Sequence, residues 1–351
     1  MREKSFIEIK STLNMEDQLL IKQLQSSVSN IPIAQAIEFP HHINNESRLN
    51  YILLYKNNKT LLGYCLVIES HSRKLPFIKT AKIFNGPIVI SVDDQFEFIN
   101  TIYKHYRKKK FTSLSIQTGI EENSESHFLN DKLINDLSFK YIKGSNKNCT
   151  LQVELDKTID DIYADFKKVL KKNIKSAINK NVVVELVETE SDVIKFSKIY
   201  KKMCEERNIH LYSQESIINI CLTIIKSKKG FVLKGVYEGN IIGGGIFVDE
   251  GSKITYLCGA SDSEYRKIPT NHLVLFEAIK ESKKKNKQFF DLGGIDFFAK
   301  ENSPKYFINQ FKLGFSSSYV FYSPEIEITY NRLYHFLYDI VIFIKERVIK
   351  K

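Results

Sequence analysis

At 351 residues the chain exceeds what one hydrophobic core usually organises and suits two domains, and its 43% apolar content with charges spread along the length excludes long disordered tails. No stretch approaches the roughly 18 apolar residues that a membrane-spanning helix needs, and Met1-Arg2-Glu3-Lys4-Ser5 leads into no apolar core followed by small residues, so neither a span nor a secretion signal is expected. The net charge of +11 fits acidic partners such as a phosphorylated substrate, tRNA or an anionic membrane surface, and it equally fits a lysine-rich solvated surface of the kind Lys283, Lys284, Lys285 and Lys287 would make.

In chain order, Tyr51–Tyr55 and Leu61–Glu69 flank Asn57-Asn58-Lys59, which is hairpin chemistry. A strand at Ala81–Val89, a helix over Asp94–Lys109 and a strand at Ser113–Gln117 follow. In the second half, Gly230–Tyr237 and Ile241–Asp249 flank Glu238-Gly239-Asn240. A strand at Lys253–Cys258, a helix over Asn271–Lys285 and a strand at Phe289–Leu292 come next. The order hairpin, strand, helix, strand therefore occurs twice, and two α+β sandwiches fit it better than a solenoid of short repeats.

Between the copies, residues 155–225 read as mostly helical. Ile159, Ile162, Phe166, Val169, Leu170, Ile174 and Ala177 recur at helical spacing, opposite Lys167, Lys168, Lys171, Lys172 and Lys175. Asp156, followed by Thr158 and the acidic Asp160 and Asp161, suits the start of that helix. Helices over Ser191–Arg207 and Gln214–Lys226 are expected after it. Residues 331–351 read as an amphipathic C-terminal helix that either packs on a domain or touches a membrane surface. Five dispersed cysteines (Cys65, Cys149, Cys204, Cys221, Cys258), with no C-x-x-C pair, read as reduced core thiols of a cytosolic protein. No metal site is expected.

The string Phe290-Asp291-Leu292-Gly293-Gly294-Ile295-Asp296, followed by Gln310-Phe311-Lys312-Leu313-Gly314-Phe315, resembles the C-terminal signature of the FemAB family. Gly86-Pro87 resembles that family's G-P turn. Lys171-Lys172-Asn173-Ile174-Lys175-Ser176-Ala177 resembles its basic helix, and Tyr256-Leu257-Cys258-Gly259-Ala260-Ser261 its Y-x-x-G-A-S strand end. The resemblance implies an α+β fold of two tandem GNAT-like domains, with mixed, mostly antiparallel sheets flanked by helices and a cleft between the domains. The domains are expected at residues 1–150 and 151–330. The room between Lys175 and Gly230 implies a compact member without the helical arm. Two departures stand out. Lysines occupy arginine positions of the basic helix, which removes bidentate phosphate contacts, and Gln35-Ala36-Ile37-Glu38 stands where many members have Q-x-x-W and a pyrophosphate-binding lysine.

Members of the family add amino acids to peptidoglycan precursors from aminoacyl-tRNA, so the resemblance implies amide formation on an amine. Such a reaction needs a neutral amine, a carbonyl in line with it and positive charge where the oxyanion develops. The family match gives that last role to Lys312, with Phe311 and Phe315 as packing that fixes it; the residue type alone also fits a lysine reaching out of an aromatic patch. Tyr256 is a candidate substrate donor or a core tyrosine. Gly259 is a candidate for close substrate approach, and Arg207, Lys172 and Lys175 for phosphate. Asp291 is either an amine-positioning carboxylate or a turn cap. No general base stands out, since His210 and His272 lack partners at diagnostic spacing. Gly243–Gly245 sit in a strand context, not at a phosphate turn, and Ser263–Thr270 lacks the glycines with which acetyl-CoA-dependent GNAT enzymes cradle pyrophosphate.

Three functions are carried forward. The first is an aminoacyltransferase working on a nucleotide- or lipid-linked envelope precursor, a peptidoglycan stem peptide by preference. The second is an N-acyltransferase for an amino sugar of capsule or lipopolysaccharide with an acyl-CoA or acyl-carrier donor. The third is a noncatalytic basic binding module. No resident cofactor is expected, because the donor is a co-substrate; a cytoplasmic location with peripheral membrane contact accompanies the first reading.

Overall fold

The computed structural model describes residues 5–39, 47–56, 60–71, 75, 77–122, 124, 128–142, 148–208, 212–334, 336, 337 and 340. It contains two compact units. Unit 1 comprises Met1–Gln35, Ile43–Lys147 and Phe321–Lys351; unit 2 comprises Ala36–His42 and Asn148–Val320. The sequence reading draws the second domain to residue 330. The chain instead re-enters unit 1 at Phe321, because a late strand pairs there.

Unit 1 begins with β1 (Ser5–Lys10) and α1 (Met15–Gln25). Asn14 and Asp17 form a reciprocal cap that satisfies donors at the start of α1: Asn14 Oδ1 accepts from the Asp17 N–H at 2.8 Å, and Asp17 Oδ2 accepts from the Asn14 N–H at 3.1 Å. β2 (Ser47–Lys56) and β3 (Thr60–His71) make the expected hairpin, with turn residues 57–59 outside the described set. The single strand expected over Ala81–Val89 is two, β4 (Lys79–Phe84) and β5 (Ile88–Val89). Asn85 takes a left-handed φ of 49°, which ends the first; the Gly86–Pro87 peptide that follows is cis. Helix α2 (Val92–Lys108), β6 (Ser113–Gln117), α3 (Phe128–Leu137) and β7 (Lys140–Tyr141) complete this run.

Unit 2 begins with β8 (Asn148–Glu154), α4 (Ile159–Asp165) and α5 (Lys168–Asn179). The one long amphipathic helix expected here is broken at Phe166 and Lys167, whose ψ angles of 145° and 146° are extended. Distant residues set the break. The Phe166 ring packs edge-on to Phe276 at 5.8 Å and Phe315 at 5.3 Å, and the Lys167 N–H donates to Gly314 O at 3.0 Å. The break also shifts the helical phase and leaves Val169 exposed rather than on the apolar face. Then come β9 (Val183–Leu186), α6 (Glu190–Arg207), α7 (Gln214–Ser227), β10 (Gly230–Tyr237), β11 (Asn240–Asp249), β12 (Lys253–Ser261), α8 (Thr270–Lys284), β13 (Phe289–Ile295), α9 (Pro304–Lys312) and β14 (Ser318–Tyr322), before β15 (Ile326–Thr329) in unit 1.

The duplication runs deeper than the sequence pattern indicates. The first sheet has the order β1-β2-β3-β4-β6-β15-β7, and the second, β9-β10-β11-β12-β13-β8-β14, repeats it place by place, with β5 added beside β3. In both, the third and fourth of the matching strands (β3/β4 and β11/β12) are antiparallel, and the next pair (β4/β6 and β12/β13) is parallel across a helix. The sixth strand of each sheet comes from outside its repeat: β15 from the chain end, β8 from ahead of the copy. β15 brings the fully buried Ile326 into a core with Phe98, Ile102, Tyr106, Leu114 and Ile116. The unit 2 core is built on Phe231, Phe247, Leu275, Ile279, Phe290 and Leu292. Each such buried side chain contributes about 1.5–3 kcal/mol.

All five cysteines are free and buried. Of the expected C-terminal helix, residues 335, 338, 339 and 341–351 lie outside the described residues. No helix among the described residues is long and apolar enough to cross a membrane.

Candidate active site

The parallel ladder between β12 and β13 is short. It pairs Lys253, Ile254 and Thr255 with Phe289, Phe290 and Asp291, and then the strands part. Two irregularities cause the separation. β12 carries a bulge between its pairings with Ile246 and Phe247, so Leu257 is an extra residue and the strand bends. β13 slips against β8 between Asp291 and Gly294. There Gly293 adopts a φ of +76°, and a Cβ at this position would lie 2.9 Å from Tyr256 O, so only glycine fits.

Lys312 meets β13 just past the end of this ladder. It is the last residue of α9, and its Nζ donates to Gly294 O at 2.7 Å. The position is 8% exposed. Burial lowers its pKa to about 8, with the Asp291 carboxylate pulling weakly the other way. An ammonium has three N–H groups. With one committed to Gly294, the others can meet an oxyanion that develops in the opening.

Asp291 is buried and taken up by protein partners. It is 1% exposed, its Oδ1 accepts from the Gly293 N–H at 2.8 Å, and its Oδ2 receives Gln152 Nε2 at 3.1 Å, Thr150 Oγ1 at 3.2 Å and Lys253 Nζ at 3.3 Å. These contacts stitch β8, β12 and β13 together and fix the glycine turn, so the amine-positioning alternative gives way to the turn-capping one. Tyr256 lies in the same opening, with its ring stacked on Phe247 at 5.5 Å and its phenol pKa raised by burial. Gly259 serves this tyrosine, since a Cβ there would come 2.2 Å from Tyr256 Oη. Its glycine makes room for a side chain of the protein, not for substrate. Phe311 stands edge-on between His272 at 4.9 Å and Phe315 at 5.6 Å, which fixes the end of α9 and with it Lys312.

No protein-family model and no curated protein sequence matches the chain. Its structure, however, superposes on solved ones. FemX matches with a TM-score of 0.74 at 15% identity, covering 94% of this chain and 99% of FemX. L-PGS from Bacillus licheniformis gives 0.55 at 10% identity over 87% of this chain and 90% of that one. A tandem GNAT protein from the clavulanic acid biosynthesis pathway gives 0.54 at 12% identity over 93% and 99%. The chain has the FemX fold. Its two units have a GNAT-like fold in tandem, with which the duplicated strand order agrees.

Within this FemX-type fold the remaining candidates make no hydrogen bond or ion pair with Lys312 among the described residues. α5 packs its Leu170, Ile174 and Ala177 inward and leaves Lys172 and Lys175 exposed. Arg207 is exposed at the C-terminal end of α6, where a cation complements the helix dipole. Sequence spacing gives His272 no partner, yet Asn173 on α5 reaches its Nε2 at 3.2 Å. Burial lowers the His272 pKa to about 4, partly offset by a hydrogen bond to the Pro269 backbone, so its ring is neutral and accepts from the Asn173 amide. Asn173 stands inside the basic-helix motif, and only the fold reveals its reach. His210 lies outside the described residues.

Gly243–Gly245 lie inside β11, where Gly243 and Gly244 let Asn271 and Phe196 pack against the sheet. The segment before α8, whose Asp262 and Glu264 are balanced by the exposed Arg266 and Lys267, is fastened. Lys202 pairs with Asp262 at 3.1 Å and Glu264 at 2.7 Å, Ser263 donates to Glu206 at 2.8 Å, and Asp262 occupies the Glu264 N–H at 3.1 Å. Pro269 at the helix start offers no N–H.

Proposed function

We propose that this chain is an acyltransferase that forms an amide bond at the β12/β13 opening of unit 2, moving an aminoacyl group from aminoacyl-tRNA onto an amine of a cell-envelope precursor, a peptidoglycan stem peptide by preference. The observation that carries this reading is the buried Lys312 ammonium, anchored on Gly294 O beside the parted strands. The acceptor amine attacks the acyl carbonyl, the C–N bond forms, and the carbonyl electron pair moves onto oxygen. Lys312 stabilises that alkoxide. Collapse breaks the ester C–O bond, and the departing tRNA hydroxyl takes up the proton that the amine gives up.

Likeness to FemX and to L-PGS supports the reading at the level of fold, and the envelope acceptor comes from the FemAB resemblance of the sequence motifs. An acyl-CoA donor is disfavoured by the glycine-free segment before α8, where the backbone N–H groups of Glu264, Tyr265, Arg266 and Ile268 are already bonded within the protein and a pyrophosphate would need them free. A noncatalytic module has no use for a lysine held against the cost of burial.

Purified protein is offered charged tRNA or acyl-CoA pools together with nucleotide-linked and lipid-linked acceptors. Transfer that ribonuclease abolishes is the expected result. Transfer from acyl-CoA that survives ribonuclease would replace the tRNA donor with the amino-sugar N-acyltransferase reading.

A further inference from the structure

The turn after β13 exposes large apolar side chains only a few residues from the opening. Phe297 and Phe298 are 52% and 65% exposed, and their rings meet edge to face at 5.8 Å. Tyr319 of β14, also exposed, approaches Phe297 at 6.0 Å, and α9 adds the exposed Phe307 and Ile308. This presentation is built. Asp296 Oδ1 accepts from the Phe298 N–H at 3.0 Å, and its Oδ2 receives Lys305 Nζ at 2.9 Å. Asn309 accepts from the Asp296 N–H at 3.2 Å and donates to its carbonyl at 2.6 Å. The turn is thus clamped to α9 with its rings outward, against the solvation cost of exposed phenyl groups.

The character of the surface selects its occupant. Asp296, Asn309 and Lys305 already satisfy one another, so the turn offers a partner apolar rings and few directional hydrogen bonds. A protein interface of ordinary specificity would use such bonds; a lipid interface does not need them. Charge points the same way. Lys300 and Glu301 balance within the turn and Lys305 neutralises Asp296, so long-range attraction falls to the net charge of +11 and, in the same unit, to the exposed Lys167, Lys168, Lys172 and Lys175. Lys167 is tied through its backbone to Gly314, just past α9, which brings the start of this basic face next to the end of the helix that clamps the turn. Aromatic rings at the headgroup boundary with ammonium groups beside anionic headgroups is the arrangement of an interfacial anchor.

We propose that the Phe297–Phe298 turn inserts into the surface of an anionic bilayer, and that the acceptor is accordingly an amine on a lipid-linked precursor met at that surface. This site is distinct from the C-terminal helix that the sequence suggests for membrane contact. Insertion stands independently; the acceptor class rests on the function proposed above.

The chain has no tryptophan, so Phe298→Trp supplies a single tryptophan in the full-length protein, excited on the red side of tyrosine absorption. With vesicles of phosphatidylcholine and phosphatidylglycerol, its emission should move to the blue and be quenched by brominated lipid. Phe128→Trp, exposed on α3 of unit 1, should do neither. The double variant Phe297→Ser/Phe298→Ser should cosediment with these vesicles about tenfold less or weaker still, with unchanged circular dichroism. Unshifted emission from the Phe298→Trp variant, undiminished cosedimentation of the double variant, or a blue shift without vesicles that grows with protein concentration would each overturn insertion, the last in favour of self-association. If insertion holds but only a soluble nucleotide-linked acceptor is consumed, the acceptor class falls alone. If neither acceptor is consumed from any donor, the proposed transfer falls and insertion remains.

Discussion

In unit 1 the parallel pair β4/β6 runs unbroken from Thr80 and Ser113 to Phe84 and Gln117, and the space where β4 ends is filled by one side chain. Gln35 is fully buried there: Oε1 accepts from the Leu66 N–H at 2.8 Å, and Nε2 donates to Phe84 O at 2.7 Å. Its carbonyl accepts from the Tyr64 hydroxyl at 2.8 Å, which in turn accepts from Gln25 Nε2 at 2.8 Å. In unit 2 the matching pair β12/β13 stops after Thr255 and Asp291, a bulge and a left-handed glycine hold the strands apart, and a cation is buried at the edge. A neutral polar plug leaves a wall in which the strand groups beside Gln35 are satisfied. A buried ammonium beside an opening costs stability that packing alone would not demand. On the proposed function, one copy of the fold is scaffold and the other holds the chemistry.

The largest expected effect breaks the wall. Gln35→Ala orphans the Leu66 N–H and the Phe84 carbonyl, and at about 1–3 kcal/mol per buried orphan it should destabilise the protein by about 3 kcal/mol in a denaturant melt. Turnover per folded molecule should persist. A loss of turnover with stability intact would mean that unit 1 takes part in the reaction. Lys312→Ala is the converse. Turnover should fall at least tenfold, about 1.4 kcal/mol of transition-state stabilisation, while thermal stability at neutral pH holds or rises because a desolvated charge is gone. A folded variant with wild-type turnover would remove the distinction between the units.

Smaller effects sharpen the picture around Lys312. Asn173→Ala removes the donor to His272 Nε2 and should cost about 1 kcal/mol of stability, read by thermal unfolding. An unchanged melting temperature would show that this bridge between α5 and α8 is idle. Lys172→Ala and Lys175→Ala should act least, raising KM modestly and flattening its salt dependence while kcat stays constant. An unaltered salt slope would leave these residues as a solvated face.

Local sequence carries much of this fold. The strands Ser113–Gln117 and Gly230–Tyr237 are legible residue for residue, the first as an alternation of polar and apolar side chains, the second as a β-branched and aromatic run that ends at turn residues. Helices α2, α6, α7 and α8 fall within a residue or two of their sequence-based bounds. What escapes is decided at long range. Nothing local breaks the helix at Phe166 and Lys167; Phe276, Phe315 and Gly314 do. β15 joins unit 1 from some two hundred residues away, so no window of sequence could assign it. α9 does have a local signal, Ser303 capping with Pro304 at the first helical position. At the site, motif order locates Lys312, Tyr256 and the Gly293 turn. The Asp291 network and the Asn173–His272 contact depend on strands and helices meeting across 99 to 141 residues of chain.

The central claim is that the Lys312 ammonium does the electrostatic work, and the pH dependence of kcat in the wild type and in Lys312→Arg tests it most directly. Burial places the Lys312 pKa at about 8, so the charged form predominates below that value and is lost as pH rises through it. Wild-type kcat should therefore fall with a midpoint near pH 8, and in the arginine variant that limb should move well beyond it, since guanidinium keeps its proton. In parallel, the unfolded chain retains this proton to higher pH than the folded one, so wild-type stability should rise between about pH 8 and the ordinary lysine range of about 10.4. The same falling limb in both proteins would contradict the assignment of Lys312 to the reaction.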